Sequence, residues 1–432
     1  MVPVLLDTTP LRVNPSYRRL FTGFTLSGIG AQLAVVAIGL QVYAISGTSF
    51  AVGLVGLFAL VPLVVMGLYG GALVDAHDRR MVALVAGLVG WAVSIANAAY
   101  AWLGHPTLWW LYLVVALQSA AFGVISPARS SIYPRLLDLS MLPAANALNI
   151  FATNLYLTVG PLLAGVLVDA GGYRLAYTFD AALFTFAMWG LQRLEPIPPE
   201  VDPSLDQSSN GAARRRPGLS SVLDGLRFLG TRPNVRMTFL ADFCAMILAQ
   251  PRALFPAVAA LAFGGGARTV GLMSAAVAVG SVLAMLFSGR LGGVVRQGVA
   301  VVVSVALWGI SITGFGLAVA GAGSLVERGT ALWVGAFCLA CAGAADSVSS
   351  VFRNTILQSA TPDHLRGRLQ GVFIVVVAGG PRLGDLVAGT GATAYGEAVA
   401  AIAGGLLCVV AVGALSAWQR GFLRYDARHP TP

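Results

Sequence analysis

Lysine is absent from this sequence of 432 residues, and charge of either sign is scarce. All 27 basic residues are arginines, 18 residues are acidic, and charged residues make up 10% of the chain, compared with about 25% in an average soluble domain. Without lysine there is no G-x-x-x-x-G-K-[ST] motif, so the phosphate-binding loop of P-loop ATPases and GTPases is excluded. The shortage of charge also argues against an ordinary soluble domain.

Cysteine and histidine are equally sparse, with four of each. The cysteines all fall inside long apolar runs, so a disulfide framework is not expected. The histidines fall between those runs, and no cluster with metal-ligand or nucleophile spacing forms. The sequence therefore predicts no metal, no cofactor and no enzyme. Nucleic acid is not expected as a partner either, because the arginines behind the formal charge of +9 are spread among the loops.

Apolar residues, at 57% of the chain, gather into blocks of about the 20 residues that cross a bilayer as a helix. These blocks predict an all-α integral membrane protein with twelve membrane-spanning helices. The first block is too long for a cleaved signal peptide and is retained as helix 1. The predicted spans are 20–45, 50–74, 81–103, 107–128, 143–168, 173–194, 236–263, 268–288, 298–320, 330–352, 371–391 and 394–418.

The arginines predict the orientation, because positively charged short loops stay on the cytoplasmic side. Only Arg174, Arg268 and Arg328 fall in loops on one side of the predicted membrane, and Arg252 and Arg382 fall inside spans. The remaining arginines lie at or near the other face. Both termini are therefore predicted to be cytoplasmic, in a plasma or inner membrane.

A polar segment rich in proline and serine separates the sixth and seventh spans at 195–218. It predicts a six-helix bundle at 1–195, a cytoplasmic linker at 196–233 and a second bundle at 234–432. Apolar residues at helical spacing over 219–229 predict an amphipathic helix on the inner membrane surface. The ends of the fourth and tenth spans also overlay with a constant offset, which is typical of the internal repeats of secondary transporters.

The loop after the second span reads GALVDAHDRR and resembles the major facilitator superfamily signature G-x-L-x-D-R-x-G-R-[RK]. The matches are Gly71, Leu73, Asp75, Arg79 and Arg80, whereas Ala76 and Asp78 depart from it. The segments PARSSIYPRLL, ANALN, GPLLAGVLVDAGG and LQSATPDHLRGRLQG look like the branch that holds enterobactin-type siderophore exporters and macrolide efflux pumps. The resemblance implies the superfamily fold, two six-helix bundles around a central cavity.

The same resemblance implies a conformational latch at the inner face. Asp75 would accept from backbone N–H groups at the start of the eleventh helix and hold the halves together in the outward-open state. Gly71, Arg79, Arg80 and Arg129 would belong to the same network. For Arg79 and Arg80 the alternative is that they only set topology and face anionic lipid headgroups.

Five charged residues are predicted to lie within the membrane, all in the second half: Asp242, Arg252, Asp346, Arg382 and Asp385. A charge at the centre of a membrane helix costs about 2.5–3.5 kcal/mol, so these residues are predicted to couple protons or bind the cargo. The three-residue spacing of Arg382 and Asp385 places them on one helix face. Asp385 could instead be a structural ion-pair partner of Arg382, and the sequence leaves both readings open.

The first half is predicted to contribute polar groups to this site, of which Gln41 is assigned here. Drug–proton antiporters of the superfamily carry an arginine early in the fourth helix, where this chain has Leu117 and Gln118. The coupling route is therefore expected to differ from theirs.

Small residues and a proline in the fifth span predict a close approach of helices. Gly160, Pro161 and Gly165 lie in the run GPLLAGVLVD, and small residues allow tight helix packing in bilayers. The alternative is the ordinary tolerance of membrane helices for glycine and proline.

The resulting functional prediction is a monomeric secondary active exporter of a siderophore or an amphipathic drug or secondary metabolite, working by alternating access. Its partners would be a small-molecule substrate, protons and membrane lipids, and proton antiport would drive it. Export is implied by the resemblance alone, so a major facilitator importer stays open, as does a non-transporting membrane receptor or scaffold.

Overall fold

The structure of the protein is a computed structural model that describes residues 7–104, 106–198, 230–286, 294–359, 363–426 and 428. At positions 72, 75, 139, 358–359 and 363–378 it describes the backbone alone. Within this part of the chain the structure is helical throughout and forms no β-strand. The all-α prediction is confirmed.

The long helices follow one another with short connections. The first four are α1 Pro15–Ser46, α2 Ser49–Ala76, α3 Arg79–Leu103 and α4 Leu108–Leu136. The 51-residue helix Leu142–Gln192 turns at Gly172, whose φ of 71° is not helical, and we call its segments 142–171 and 173–192 α5 and α6. The remaining helices are α7 Pro233–Ala262, which is irregular, α8 Ala267–Leu286, α9 Gln297–Gly321, α10 Arg328–Ser359, α11 Asp363–Tyr395 and α12 Glu397–Trp418.

Several helices begin at residues that cap their first backbone N–H groups and end at glycines that allow a sharp turn. The side chains of Asn14, Thr48 and Asp78 accept hydrogen bonds from the backbone N–H groups of the first turns of α1, α2 and α3, which would otherwise lack partners. Gly47 and Gly104 end α1 and α3 with φ of 67° and 78°, a left-handed conformation that glycine adopts without a steric penalty. The connections can therefore be very short.

Ten helices of the described chain are long and apolar enough to cross a membrane. The 51-residue helix supplies two crossings because it turns at Gly172, and α11, with 33 residues, is about 50 Å long at 1.5 Å per residue. This count is consistent with the twelve predicted spans. Large apolar side chains such as Trp333, Phe337 and Val410 lie exposed on the surface, as expected of helices that face lipid.

Helix α4 continues to Leu136, beyond the predicted fourth span of 107–128. Proline lacks an N–H group, so the helix loses one backbone hydrogen bond at Pro127 without ending. The Pro127 carbonyl oxygen accepts hydrogen bonds from Ser130 Oγ and Ser131 Oγ, both at 2.9 Å. Helices α10 and α11 also extend beyond their predicted spans of 330–352 and 371–391, since polar turns outside the apolar block remain helical.

The apolar core is divided between the two parts of the sequence. One cluster runs through the second part and includes Met237, Trp308 and Phe315. Two further clusters lie almost wholly in the first part, around Tyr17 and Tyr177. The boundaries 1–195, 196–233 and 234–432 stay a prediction, because most of the linker and the predicted amphipathic helix at 219–229 lie outside the described residues.

The two parts meet along two helix pairs, α2 with α11 and α5 with α8. A Cβ atom at Gly53 would lie 2.5 Å from the Asp385 carbonyl oxygen, and one at Gly56 would lie 2.5 Å from the Arg382 carbonyl oxygen. Only glycine permits backbones to approach this closely. The α2/α11 contact therefore brings the two backbones together in the first two turns of α2.

We call the end of the molecule that carries the turns at Gly47, Gly104 and Gly396 the outer end, following the orientation that the arginines predict. Polar contacts join the two parts there: Ser49 Oγ to Glu397 Oε1 at 3.1 Å, Phe50 N to Thr393 Oγ1 at 3.1 Å, and Arg268 Nε to Asp169 Oδ2 at 2.8 Å. Together with the glycine contacts, they close the outer end in this structure.

Candidate transport site

A break in α7 places a charged side chain inside the membrane region. The helix passes through a π-helical turn at Cys244–Leu248 and is interrupted before a 3-10 turn at Arg252–Leu254. Pro251 has no backbone N–H group to donate. The Ala249 carbonyl oxygen, at the same break, accepts a hydrogen bond from Trp308 Nε1 at 3.2 Å. Irregular backbone at membrane depth is tolerated where protein surrounds it or where it lines a cavity.

Arg252, presented by this break, lies against two charged residues of α11. The Asp385 carboxylate is near the guanidinium groups of Arg252 and Arg382 and near the backbone N–H of Ala253. Its Oδ1 is buried and has no hydrogen-bond partner among the described residues. Arg252 is exposed, whereas Arg382 and Asp385 are half-buried. The arrangement leaves Arg252 exposed and Asp385 with unused acceptor capacity.

A second group of charges joins the first through Arg252. Arg353 on α10 is 5% exposed and donates to Asp242 on α7 and, at 3.3 Å, to Asp346. Arg252 in turn lies close enough to Asp346 to act on its carboxylate. The charges therefore follow one another in the order Asp242, Arg353, Asp346, Arg252, Asp385, Arg382, alternating in sign. Ion pairs join the first three, and electrostatic proximity relates the others. We call this series the charge chain.

The charge chain contains all five intramembrane charges predicted for the second half, together with Arg353, which the span bounds had left outside the membrane. Three guanidinium groups and three carboxylates balance one another. Balance matters because a buried charge that loses its partner costs several kcal/mol. The sequence signal for Arg353 was its position seven residues after Asp346, two turns further along the same helix face.

The prediction that membrane-embedded charges belong to the second half alone is wrong. Asp180 on α6 is 2% exposed and lies beside the hydroxyl of Ser94. A Cβ atom at Gly30 would lie 2.7 Å from Asp180 Oδ1, so glycine on α1 leaves room for the carboxylate. Asp180 stands in the middle of the predicted sixth span, and a search of that span for charges would have found it.

Gln41 is buried and hydrogen-bonded to a tyrosine of α6. It is 4% exposed, and its Oε1 accepts a hydrogen bond of 2.6 Å from Tyr177 Oη. This bond ties α1 to α6 inside the first part. This described hydrogen bond lies within the first part, and the assignment of Gln41 to the transport site stays a prediction.

The two arginines that begin α3 hold the inner end of the first part. Arg80 Nη2 donates to the Gln192 carbonyl oxygen at 2.8 Å and Arg79 Nη1 to the Ser131 carbonyl oxygen at 3.4 Å. Arg80 thus binds the C-terminus of α6, where the helix dipole favours a cation. A Cβ atom at Gly71 would meet nothing within 4 Å, and the side chain of Asp75 lies outside the described residues.

Arg129, predicted to join the same network, turns its guanidinium towards an aromatic ring. Its Cζ lies 5.3 Å from the centroid of Phe24 on α1, within range of a cation–π interaction. No described carboxylate forms an ion pair with it. Its assignment to the latch stays a prediction.

The predicted packing residues of α5 contact two different helices. A Cβ atom at Gly160 would lie 2.5 Å from Gln32 Cβ on α1, and one at Gly165 would lie 2.8 Å from the Ala267 carbonyl oxygen at the start of α8. The Pro161 carbonyl oxygen lies 2.7 Å from the Cβ position of Gly271. Gly160 therefore packs within the first part, and Gly165 and Pro161 face the second.

Among the described residues, no group of three or more histidine, cysteine or acidic side chains is arranged to hold a metal ion. The charge chain itself supplies guanidinium and carboxylate groups. It offers an exposed guanidinium for an anionic or polar ligand and a carboxylate able to take up a proton.

Comparison with known proteins identifies the family. The family described as transmembrane secretion effector, of the major facilitator superfamily, matches residues 7–422. The chain is 28% identical over 426 residues to the enterobactin exporter EntS of Citrobacter koseri, covering 96% of each chain. It is 27% identical over 435 residues to EntS of Salmonella typhi, covering 96% of this chain and 97% of the relative.

Solved structures share the fold at low sequence identity. A mutant of the nucleoside transporter NupG superposes with a TM-score of 0.71 at 16% identity, covering 93% of this chain and 99% of that one. A bacterial homologue of the human lysosomal transporter Spinster, inward-facing and unoccupied, gives 0.71 at 13% identity, covering 97% and 99%. The protein is thus a multi-pass membrane transporter rather than an enzyme, and it belongs to the transmembrane secretion effector family of the major facilitator superfamily.

Proposed function

We propose that this protein is a proton-driven exporter that carries a siderophore or another amphipathic small molecule out of the cell by alternating access. The observation that carries the proposal is the position of the charge chain directly behind the outer closure. The Asp385 and Arg382 carbonyl oxygens are the atoms that α2 packs against at Gly53 and Gly56. The same two residues carry the charges that meet Arg252.

This position links the charge state to the conformation. Opening the outer end requires α2 and α11 to separate at Gly53 and Gly56, so α11 moves at the residues that bear Arg382 and Asp385. A move that takes the arginines away from Asp385 favours its protonation, and a return of the arginines favours release of the proton. Proton uptake at one side and release at the other would then drive cargo in the opposite direction.

The cargo class follows from the same groups and from the relatives. Arg252 is exposed, and a guanidinium binds anionic and polar oxygens through several donors. The relatives are named as enterobactin exporters, and we extend that cargo class to this chain. We further propose that the chain works as a monomer with both termini in the cytoplasm, and that Asp75 latches the inner end when the outer end opens.

Transport by everted membrane vesicles tests this proposal. Enterobactin and a macrolide are the first cargoes to try, with and without an imposed proton gradient. The wild type should accumulate cargo in everted vesicles only when the gradient is present. Asp385→Asn should abolish this uphill accumulation and leave downhill exchange of cargo intact, because the amide keeps the shape but cannot exchange a proton at this site.

Asp138→Asn is the matched control, since Asp138 is an exposed carboxylate outside the charge chain, and it should transport as the wild type does. Uphill accumulation by Asp385→Asn at normal expression would refute the coupling role. The Asp385 and Arg382 pair would then be a structural ion pair that does not couple protons. Accumulation in right-side-out vesicles alone would show that the protein is an importer.

A further inference from the structure

An arginine and a tryptophan join the first and last helices of the second part. Arg236, in the first turn of α7, has its Cζ 4.8 Å from the centroid of the Trp418 ring. Trp418 is the last residue of α12, a helix of 22 residues that begins after Gly396 at the outer end. Such a helix is about 33 Å long, so it carries Trp418 to the opposite end of the molecule. The contact between α7 and α12 therefore lies at the inner end.

The chain that follows α12 brings further arginines to this contact. A short helical turn at Arg420–Leu423 packs against α7 and α9. Its Phe422 is fully buried, and the Phe422 carbonyl oxygen lies against Gly298 near the start of α9. Arg420 and Arg424, on either side of this anchor, are exposed. We define the basic patch as Arg232, Arg236, Arg420 and Arg424.

The protein does not supply enough negative charge to balance the basic patch. Among the described residues, Arg236, Arg420 and Arg424 form no salt bridge. The predicted linker at 196–233, which leads into α7, contains four acidic residues and five arginines. It therefore has no surplus of negative charge. An anion from outside the chain is the natural partner of these guanidinium groups.

Trp418 places the basic patch at the level of the lipid headgroups. It is 62% exposed and ends an apolar membrane span, and tryptophan is enriched where membrane helices reach the headgroups. A guanidinium that stacks on an aromatic face has its N–H groups in its own plane, and it can bind a phosphate through two parallel hydrogen bonds. The anions at this depth are lipid phosphates, so the geometry favours a lipid over a soluble partner.

We propose that the basic patch binds the phosphate group of an anionic glycerophospholipid in the leaflet at the inner end. Arg236 and Arg420 donate to the phosphate oxygens, and Trp418 positions Arg236 and contacts the apolar part of the lipid. The bound lipid ties the beginning of α7, where the linker enters the second part, to the end of α12. This inference does not rest on the proposed function, because the site is separate from the charge chain.

Native mass spectrometry of the full-length protein in neutral detergent tests the inference, with phosphatidylglycerol as the probe. Phosphatidylglycerol should bind the wild type more tightly than the zwitterionic phosphatidylcholine does. Arg236→Gln and Arg420→Gln should each raise the Kd for phosphatidylglycerol about fivefold, the usual contribution of one arginine next to anionic lipid. Trp418→Leu should raise it about two- to fivefold, since the cation–π contact that holds Arg236 is lost.

Arg193→Gln is the matched control. Arg193 also lies at the end of a membrane helix and over a tryptophan ring, that of Trp189 at 5.6 Å, but it is followed two residues later by the acidic Glu195. Its replacement should leave the Kd for phosphatidylglycerol unchanged. Inorganic phosphate at the concentration of the lipid should not displace phosphatidylglycerol, because it has no apolar part to contact Trp418.

Equal affinity for phosphatidylglycerol in the wild type, Arg236→Gln and Arg420→Gln would overturn the inference. An equal loss of affinity in Arg193→Gln would also overturn it, because arginines anywhere at the inner end would then attract anionic lipid alike. Displacement by inorganic phosphate would show a general anion site rather than a lipid site. If Arg236→Gln does not give a monodisperse protein, Arg420→Gln decides alone, since its side chain is exposed.

Discussion

Replacing Gly53 or Gly56 by alanine should open the outer end of the transporter. At either position a Cβ atom would lie 2.5 Å from a backbone carbonyl oxygen of α11. Ordinary van der Waals contact begins at 3.4 Å, so α2 and α11 would have to separate by about 0.9 Å. The obstructing atom belongs to a helix backbone, which cannot rotate out of the way as a side chain can.

The size of the effect follows from the cost of overpacking, which is about 1–3 kcal/mol. Alanine also favours a helix over glycine by about 1 kcal/mol, but this gain applies whether the outer end is open or closed. The steric term alone therefore changes the ratio of the two states. At about 1.4 kcal/mol per factor of ten, the closed-to-open ratio should fall by about 5- to 150-fold.

Distances between spin labels report this ratio directly. Leu103→Cys at the end of α3 and Tyr395→Cys at the end of α11 are both exposed and belong to the two parts of the molecule. Double electron–electron resonance should show a short distance between the two labels in the wild type. In Gly53→Ala and Gly56→Ala it should show an additional population with a longer distance. Gly67→Ala on the same helix is the control, since a Cβ atom there meets nothing within 4 Å.

Two results would refute this reasoning. Unchanged distance distributions in both Gly53→Ala and Gly56→Ala would mean that the close approach of α2 and α11 does not limit opening. The same lengthening in Gly67→Ala would mean that any added methyl on α2 opens the molecule, and the glycine contacts would lose their special role.

Further predictions concern stability, the latch and topology. Arg353→Met should destabilise the folded protein by about 3–5 kcal/mol, the cost of breaking a buried ion pair, and Asp242→Asn added to it should recover part of the loss; an unchanged Tm in detergent would contradict this. Asp75→Asn should lower uphill transport at normal expression, and full transport would limit Asp75 to a structural role. In a background without native cysteines, Leu103→Cys should react with an impermeant thiol reagent in intact cells and Ser208→Cys should not, and labelling at 208 would reverse the orientation.

Much of the architecture could be predicted from sequence, because the bilayer imposes a one-dimensional constraint. A helix must hold about 20 apolar residues to cross, and blocks of that length mark the spans whatever their neighbours are. Charges within such blocks are costly, so Arg252, Asp346 and Asp385 stood out before any contact was known. Helix ends could not be predicted from the apolar blocks, because α4 continues to Leu136 beyond its block.

The partners of these charges depended on the tertiary structure. The sequence pairs residues on one helix, as it did Arg382 and Asp385, but the helix rotation and the break in α7 bring Arg252 between Asp346 and Asp385. Rotation and tilt are set where backbones touch, at glycines such as Gly53 and Gly56, and such contacts join residues more than 300 positions apart. Apolar block length is a property of each segment alone, whereas the charge chain is a property of how the segments pack.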